Sequence, residues 1–257
     1  MLATTHFRSS KQLCQLLTVA TSDERLAITR IVNPKAAIPL EATPLGEAIC
    51  SAGGHSFGNW SRGMGIGYLE LVSDTAEDLK VTPLPMYEEK VRWDAPRFAG
   101  TAPADADVRV KKWVEDLEQK VLIKALQVSY EGMNPQQRAA FDAHLNSVAQ
   151  RFGGKWNGRL AGTAGIMAVG SMGGFATYTL LTTAMHAVTF GALSFGAYTA
   201  AASLLHLVLG PVGWTALGGL AILKLGAPKT AELVPIVCNV AIVRQRLQYE
   251  NAGRGRR

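Results

Sequence analysis

The sequence predicts an all-α protein, a helical bundle that ends in a glycine- and alanine-rich hydrophobic hairpin. Three observations lead to this prediction. Apolar residues recur at three- and four-residue spacing through most of the first 152 residues. Capping residues, glycines and prolines separate these stretches. From Leu160 to Leu223, 64 residues include no Asp, Glu, Lys or Arg, and 24 of them are Gly or Ala.

The first predicted helices are short. One is capped by Ser9 or Ser10 and reaches about Ala20, and a second is capped by Ser22. Residues 33–44 contain three prolines and form a connection, which leads to a third helix over residues 45–52. A fourth helix begins at Tyr68, with these apolar residues facing inward: Leu69, Leu71, Val72, Ala76 and Leu79.

The longer helices follow a loop over residues 82–105, which holds four prolines and a short helical turn at 87–93. Asp105 or Asp107 caps a helix that ends at Gly132, and Asn134-Pro135 opens one that reaches Arg151 through Ala139, Phe141, Leu145 and Val148. The last helix covers residues 231–249. Its predicted polar end consists of Arg244, Gln245, Arg246 and Gln248.

The charge distribution divides the chain. Residues 1–142 contain 16 basic and 18 acidic side chains, a net charge of −2, whereas residues 143–257 contain 10 and 2, a net charge of +8. This asymmetry favours an anionic partner for the second half. We therefore predict a polar helical domain over 1–152 with its proline-rich loop, an apolar hairpin and last helix over 153–250, and a disordered basic tail over 251–257.

The positions of the basic residues favour phospholipid over nucleic acid as that partner. Lys155 and Arg159 precede the uncharged residues, and Lys224 and Lys229 follow them, as cations flank membrane segments. Nucleic-acid binders instead cluster their cations on one face. An equally simple interpretation is that these residues only solubilise helix ends.

The apolar block, which we define as residues 160–223, is long enough for two membrane spans of about 20 residues each. The spans predicted from the sequence are Gly162–Thr183 and Ala187–Leu209, with both ends of the hairpin on one side of the bilayer. Small residues at four-residue spacing let helices approach closely in lipid. The residues predicted to take part in this packing, or in the break that follows, are Gly162, Gly165, Gly170, Gly174, Gly196, Ala200, Gly210 and Pro211.

Three interpretations of the apolar block remain open. It inserts stably in a membrane; it is covered by other helices in a soluble bundle; or it is shielded in a soluble form and released into lipid, as in pore-forming helical toxins. The soluble alternative is a chaperone or assembly factor that holds an apolar partner helix. Homo-oligomerisation is compatible with each, and the predicted location is the cytoplasm, the cytoplasmic face of a membrane or the inner membrane.

No pattern in the sequence indicates catalysis, a cofactor or a metal. Gly53 and Gly58 have phosphate-loop spacing, but Asn59 and Trp60 stand where that loop needs Lys and Ser or Thr. The nucleophile elbow is absent from the sequence, and the histidines form no zinc-binding motif. Three cysteines without a CxxC pair favour free thiols in a reducing compartment.

Two segments resemble a bacterial family called YaaW-like, or ubiquinol-cytochrome c chaperone-like. After Glu47 the chain reads AICSAGGHSFGNWSRGMGIGYLELVSDTAEDLKV, and from Gly210 it reads GPVGWTALGGLAILKLGAPKTAELVPIVCNVAIVR. The family's Tyr-Arg pair is missing, since Lys229, Thr230 and Ala231 follow the Gly/Pro break. The resemblance implies an all-helical protein without a cofactor. It also implies a shared turn, structural or interacting, at Gly53, Gly54, Ser56, Asn59, Arg62 and Gly63.

Overall fold

The protein is all-α, as the sequence predicts, and its described residues contain no β-strand. The computed structural model describes residues 6–53, 66–84, 87–152, 160–171 and 230–254. The α-helices are α1 (Arg8–Thr18), α2 (Ser22–Val32), α3 (Ala42–Gly53), α4 (Tyr68–Asp78), α5 (Tyr87–Asp94), α6 (Ala106–Gly132), α7 (Pro135–Phe152), α8 (Gly162–Ser171) and α9 (Thr230–Arg254).

The caps of α1 and α2 differ from those predicted. Phe7 precedes α1 without a side-chain cap, and Ser9 and Ser10 lie inside the helix. The cap of α2 is Thr21, whose hydroxyl accepts a hydrogen bond from the Glu24 backbone N–H while the Glu24 carboxylate accepts one from the Thr21 backbone N–H. This capping box is complete one residue earlier than the Ser22 cap predicted from the sequence.

Ser9 and Ser10 cap another helix. The backbone N–H of Tyr68 donates to the Ser10 hydroxyl at 3.2 Å, and that of Leu69 donates to the Ser9 hydroxyl at 2.9 Å. The first N–H groups of a helix have no partner within it. Two buried hydroxyls of α1 therefore satisfy the start of α4, which Gly67 precedes without a cap of its own.

Helix α3 is longer than predicted, and the short helical turn predicted within the loop is the α-helix α5. Helix α3 begins at Ala42, and its first turn accommodates Pro44 because N–H groups there have no intrahelical acceptor. The predicted loop 82–105 contains α5 and a 3₁₀ helix at Pro96–Thr101. The helical turn predicted at residues 87–93 is therefore confirmed, but much of the loop is ordered.

The predicted boundaries of α6 and the predicted start of α7 are confirmed within one residue, and the structure describes α7 up to Phe152. Asn134 and Gln137 exchange side-chain and backbone hydrogen bonds, both at 2.9 Å, at the start of α7. Phe141, Leu145 and Val148 are buried as predicted, whereas Ala139 is exposed because it lies on the opposite face of α7. The apolar residues of α4 that were predicted to face inward are buried as well.

Helix α6 lies at the centre of the core, where α1, α4, α8 and α9 all pack against it. Helix α9 also packs against α2 and α4, so it shares the core of the first half of the chain. The apolar side chains of α9 are therefore buried among N-terminal helices, and the division after residue 152 stays a prediction. Helix α9 also continues to Arg254, which corrects the predicted start of the tail at residue 251.

Candidate functional site

The structure describes Gly53, Gly162, Gly165 and Gly170 among the residues predicted to form functional sites. The others stay predictions, because they lie outside the described residues: Gly54, Ser56, Asn59, Arg62, Gly63, Lys155, Arg159, Gly174, Gly196, Ala200, Gly210, Pro211, Lys224 and Lys229.

Gly53 is a packing position at the end of α3. A Cβ atom there would lie 2.6 Å from Ile66 Cδ1 and 2.8 Å from Leu71 Cδ1, closer than any ordinary contact. The end of α3 therefore approaches the start of α4 only because residue 53 has no side chain. This contact supports a structural role for Gly53.

The start of the apolar block is held by two side chains of α7. The Asn146 amide oxygen accepts a hydrogen bond from the Leu160 N–H at 2.8 Å, and its NH₂ group donates to the Leu160 carbonyl at 2.6 Å. The Asp142 carboxylate accepts a hydrogen bond from the Gly162 N–H at 2.9 Å and another from the Tyr130 hydroxyl at 3.2 Å. We call Asp142 and Asn146, with Tyr130, the clasp.

The clasp suits the local backbone and charge. Asp142 places a carboxylate at the first N–H of α8, where the helix dipole favours negative charge. Gly162 has φ = +62°, a conformation that side chains disfavour. Burial and then the charge of Asp142 raise the pKa of Tyr130, so the hydroxyl remains a donor at neutral pH. The clasp therefore fixes where α8 begins.

Gly165 and Gly170 fit α8 closely against the core. A Cβ atom at Gly165 would collide with the Leu145 side chain and lie 3.3 Å from the Leu160 backbone carbonyl carbon, and one at Gly170 would lie 2.6 Å from Ile123 Cδ1. The sequence predicted that these glycines pack the two arms of a hairpin. Their described neighbours are α7 and α6. Packing against a second hairpin arm stays a prediction, because that arm lies outside the described residues.

This packing shortens the part of the apolar block that is left for the two predicted membrane spans. The first predicted span began at Gly162, but residues 162–171 lie on the core as α8, with Ile166 and Val169 fully buried. Only Met167 among its large side chains is mostly exposed, at 52%. Among the described residues, no helix combines the length and hydropathy needed to cross a bilayer.

The far end of α8 is tied to α6 by one more hydrogen bond. The Gln119 side chain donates to the carbonyl oxygen of Gly170 at 2.8 Å. Gly170 is the last residue but one in the described part of α8. This hydrogen bond and the contact with Ile123 therefore place the last described residue of α8, Ser171, beside residues 119–123 of α6.

Helix α9 is fixed to the same part of α6 by a buried ion pair. Arg244 Nε and Nη2 donate to the two oxygens of Glu118 at 2.6 and 3.2 Å, and Arg244 Nη1 lies 3.5 Å from Glu115 Oε1. The Tyr68 hydroxyl donates to Glu118 at 2.9 Å. Glu118 is 1% exposed and Arg244 8%, so Arg244, the first residue of the predicted polar end of α9, is buried.

The electrostatics favour the charged form of Arg244. Burial alone would lower the pKa of Arg244, but the charge and hydrogen bonds of Glu118 outweigh it and raise the pKa above its ordinary value. Burial and the Glu118 charge raise the pKa of Tyr68 as well, so its hydroxyl donates at all physiological pH values. Fork-shaped pairing of guanidinium with carboxylate also fixes their relative orientation.

Sequence reasoning missed the clasp and the ion pair. Their partners are 12 to 126 positions apart, and each residue type also suits an exposed helix. One signal was present: Glu118 lies between Leu117 and Val121 on the apolar stripe of α6, where a charged residue needs a partner.

Comparison with known proteins adds no relative. The chain matches no family model, and it matches neither a curated protein nor a solved structure. The resemblance to the YaaW-like family therefore stays a prediction.

The clasp makes its own prediction about stability. Replacing Asn146 with Ala leaves the N–H and carbonyl groups of Leu160 without their partner. We expect the free energy of unfolding to fall by about 1–3 kcal/mol, measured by chemical denaturation. Hydrogen exchange should quicken in α8 first. The matched control is Asn251→Ala on the exposed end of α9; equal stability of the two variants would contradict this role of Asn146.

Proposed function

We propose that the protein associates with membranes through the part of the apolar block that follows α8, while its helical core stays at the membrane surface. The observation that supports this best is that both flanking helices are fixed to α6. Gln119 and Ile123 hold the end of α8, and Glu115 and Glu118 hold Arg244 of α9. The helical rise places residues 115–123 within about 12 Å of one another.

This arrangement suits a hairpin. A segment that enters and leaves a bilayer on the same side has both flanks on that side, where one folded body can hold them. Residues 172–223 number 52 and include no Asp, Glu, Lys or Arg, so their length suffices for two crossings of about 20 residues. Lys224 and Lys229 then follow on the side of the core, as basic residues flank membrane segments on the inner side.

The core contributes anchoring in this proposal. Helices α8 and α9 are held by glycine contacts, the clasp and a buried ion pair, which resist separation better than exposed contacts would. The assembly-factor alternative needs an apolar groove for a partner helix. Two clefts between described helices, one beside Arg244 and one beside Asp94, are lined mainly by polar and charged side chains and do not offer such a groove.

Flotation with vesicles that contain anionic lipid tests the proposal. We expect the wild-type protein to float with the vesicles and to resist a carbonate wash. In the variant Leu181→Arg/Leu205→Arg, both arginines fall within residues 172–223. An arginine costs up to roughly 2.5–3.5 kcal/mol inside a span, so flotation should be lost.

The matched control adds the same two charges to the exposed surface of the helical core. Val19 and Ile38 are exposed at 57% and 77%, and Val19→Arg/Ile38→Arg should float like the wild type. A wild-type protein that stays in solution would overturn the proposal in favour of the soluble assembly factor. Flotation of Leu181→Arg/Leu205→Arg would show that the apolar block is not the attachment.

A further inference from the structure

A second buried polar junction, centred on Asp94, adjoins the serine cap of α4. Asp94 ends α5 and is 5% exposed. Its carboxylate accepts hydrogen bonds from the Ser9 backbone N–H at 2.8 Å and from the Ser9 hydroxyl at 2.6 Å. The same Ser9 hydroxyl accepts the N–H of Leu69, so Asp94 joins α5, α1 and α4.

No cation forms an ion pair with this carboxylate within the described part of the chain. Arg8 is the nearest candidate, but its Nε donates to the Trp93 carbonyl at 2.8 Å and its Nη1 to Asp107 at 3.0 Å. A buried charge without a counter-ion is costly, and a carboxyl group in that position tends to bind a proton instead.

The ionisable groups around Asp94 do not remove this cost. They are His6 before α1, Arg8 and Lys11 of α1, Cys50 of α3, Glu70 of α4 and Asp107 of α6. The charge of Arg8 favours the carboxylate, whereas that of Glu70 disfavours it. A Cβ atom at Gly67 would lie 2.6 Å from Asp94 Oδ2, so α4 also packs tightly over the carboxyl group.

We propose that Asp94 is a pH-sensitive latch, which fastens residues 87–101 to α1 when it is protonated and loosens them when it is charged. The segment comprises α5 and the 3₁₀ helix that follows it. Protonation leaves the Ser9 N–H bond in place and lets the acid proton be shared with the Ser9 hydroxyl, so the closed junction contains no uncompensated charge. The latch is independent of the membrane proposal.

The direction of the pH effect follows from the two states of the segment. Burial raises the pKa of Asp94 to about 6 in the closed state, against the lowering effect of the Ser9 hydrogen bonds, while its ordinary value is 3.8. Protonation of Asp94 therefore stabilises the closed state relative to the open state most fully below pH 3.8. This stabilisation is lost as the pH rises through about 6. Opening should become roughly tenfold more favourable between pH 5 and pH 7, with little change above that.

Hydrogen exchange measures the opening directly. We expect protection factors of amides in residues 87–101, corrected for the chemical exchange rate, to fall roughly tenfold from pH 5 to pH 7. In Asp94→Asn, which cannot ionise, they should be equal at both pH values. Unchanged protection in the wild type, or the same fall in Asp94→Asn, would overturn the proposal.

Two further variants keep the test decisive if Asp94→Asn does not fold. Ser9→Ala removes one hydrogen bond that stabilises the carboxylate, so the midpoint of the transition should move to higher pH. An unchanged midpoint would refute the latch. His6→Gln should retain the full transition, and its loss there would assign the pH dependence to the imidazole of His6 instead.

Discussion

Replacing Glu118 with Ala is expected to cost about 3–5 kcal/mol, because it leaves the Arg244 guanidinium buried without its carboxylate. At roughly 2–4 °C per kcal/mol for a chain of about this size, the midpoint of thermal unfolding should fall by around 10 °C. The Tyr68 hydroxyl loses its acceptor in the same variant, which adds to the cost. Calorimetry or thermal circular dichroism measures the change.

Two comparisons separate the buried pair from ordinary surface charge. Glu250→Ala removes a more exposed carboxylate partner of Arg246, 2.7 Å from it, and should cost less than about 1 kcal/mol. The double variant Glu118→Leu/Arg244→Met replaces the pair by apolar side chains and should recover most of the loss. If Glu118→Ala is no less stable than Glu250→Ala, the pair does not hold α9 on α6.

Leucine in place of Gly165 is the second change with a large expected effect. The new side chain would meet both Leu145 and the backbone of Leu160, and backbone yields less readily than a side-chain end. Overpacking of this kind costs roughly 1–3 kcal/mol, and we expect Gly165→Leu to lie at the upper end. Gly170→Leu should cost less, because it meets only the flexible side chain of Ile123. Chemical denaturation gives both values.

The control for both glycines is on the same helix. Ala164 is exposed on α8, so Ala164→Leu adds the same bulk without entering the core. We expect the loss of stability to decrease in the order Gly165→Leu, Gly170→Leu, Ala164→Leu. If Ala164→Leu is as destabilising as Gly165→Leu, the close approach of α8 to α7 is not what Gly165 provides.

Helix periodicity predicted the fold class and the positions of most described helices, because both depend on neighbours in sequence. The cap at Asn134 and the apolar stripe of α6 were recognised for this reason. A local pattern also misled at the start of α1. Ser9 and Ser10 look like the cap of their own helix, but their hydroxyls serve α4, some 60 residues away.

The candidate site depends on contacts that a single sequence does not reveal. Glu118 and Arg244 are separated by 126 positions, and the glycines of α8 gave no sign of whether their partners were hairpin arms or core helices. The composition of the apolar block indicated burial, in protein or in lipid, and α8 shows that part of this burial is in the core. Composition does not distinguish burial against core helices from burial between hairpin arms, because a glycine-rich face fits the leucine and isoleucine side chains of any closely packed helix.

Site-directed labelling of residues 172–223 tests the membrane proposal most directly. In a Cys14→Ser background, where the remaining native cysteines Cys50 and Cys238 are buried, single cysteines replace Ser194, Ser203 or the exposed Val19. We expect vesicles to slow the reaction of the cysteines at 194 and 203 with an aqueous maleimide at least tenfold, and to leave the cysteine at 19 unaffected. Equal rates with and without vesicles at 194 and 203 would contradict the account.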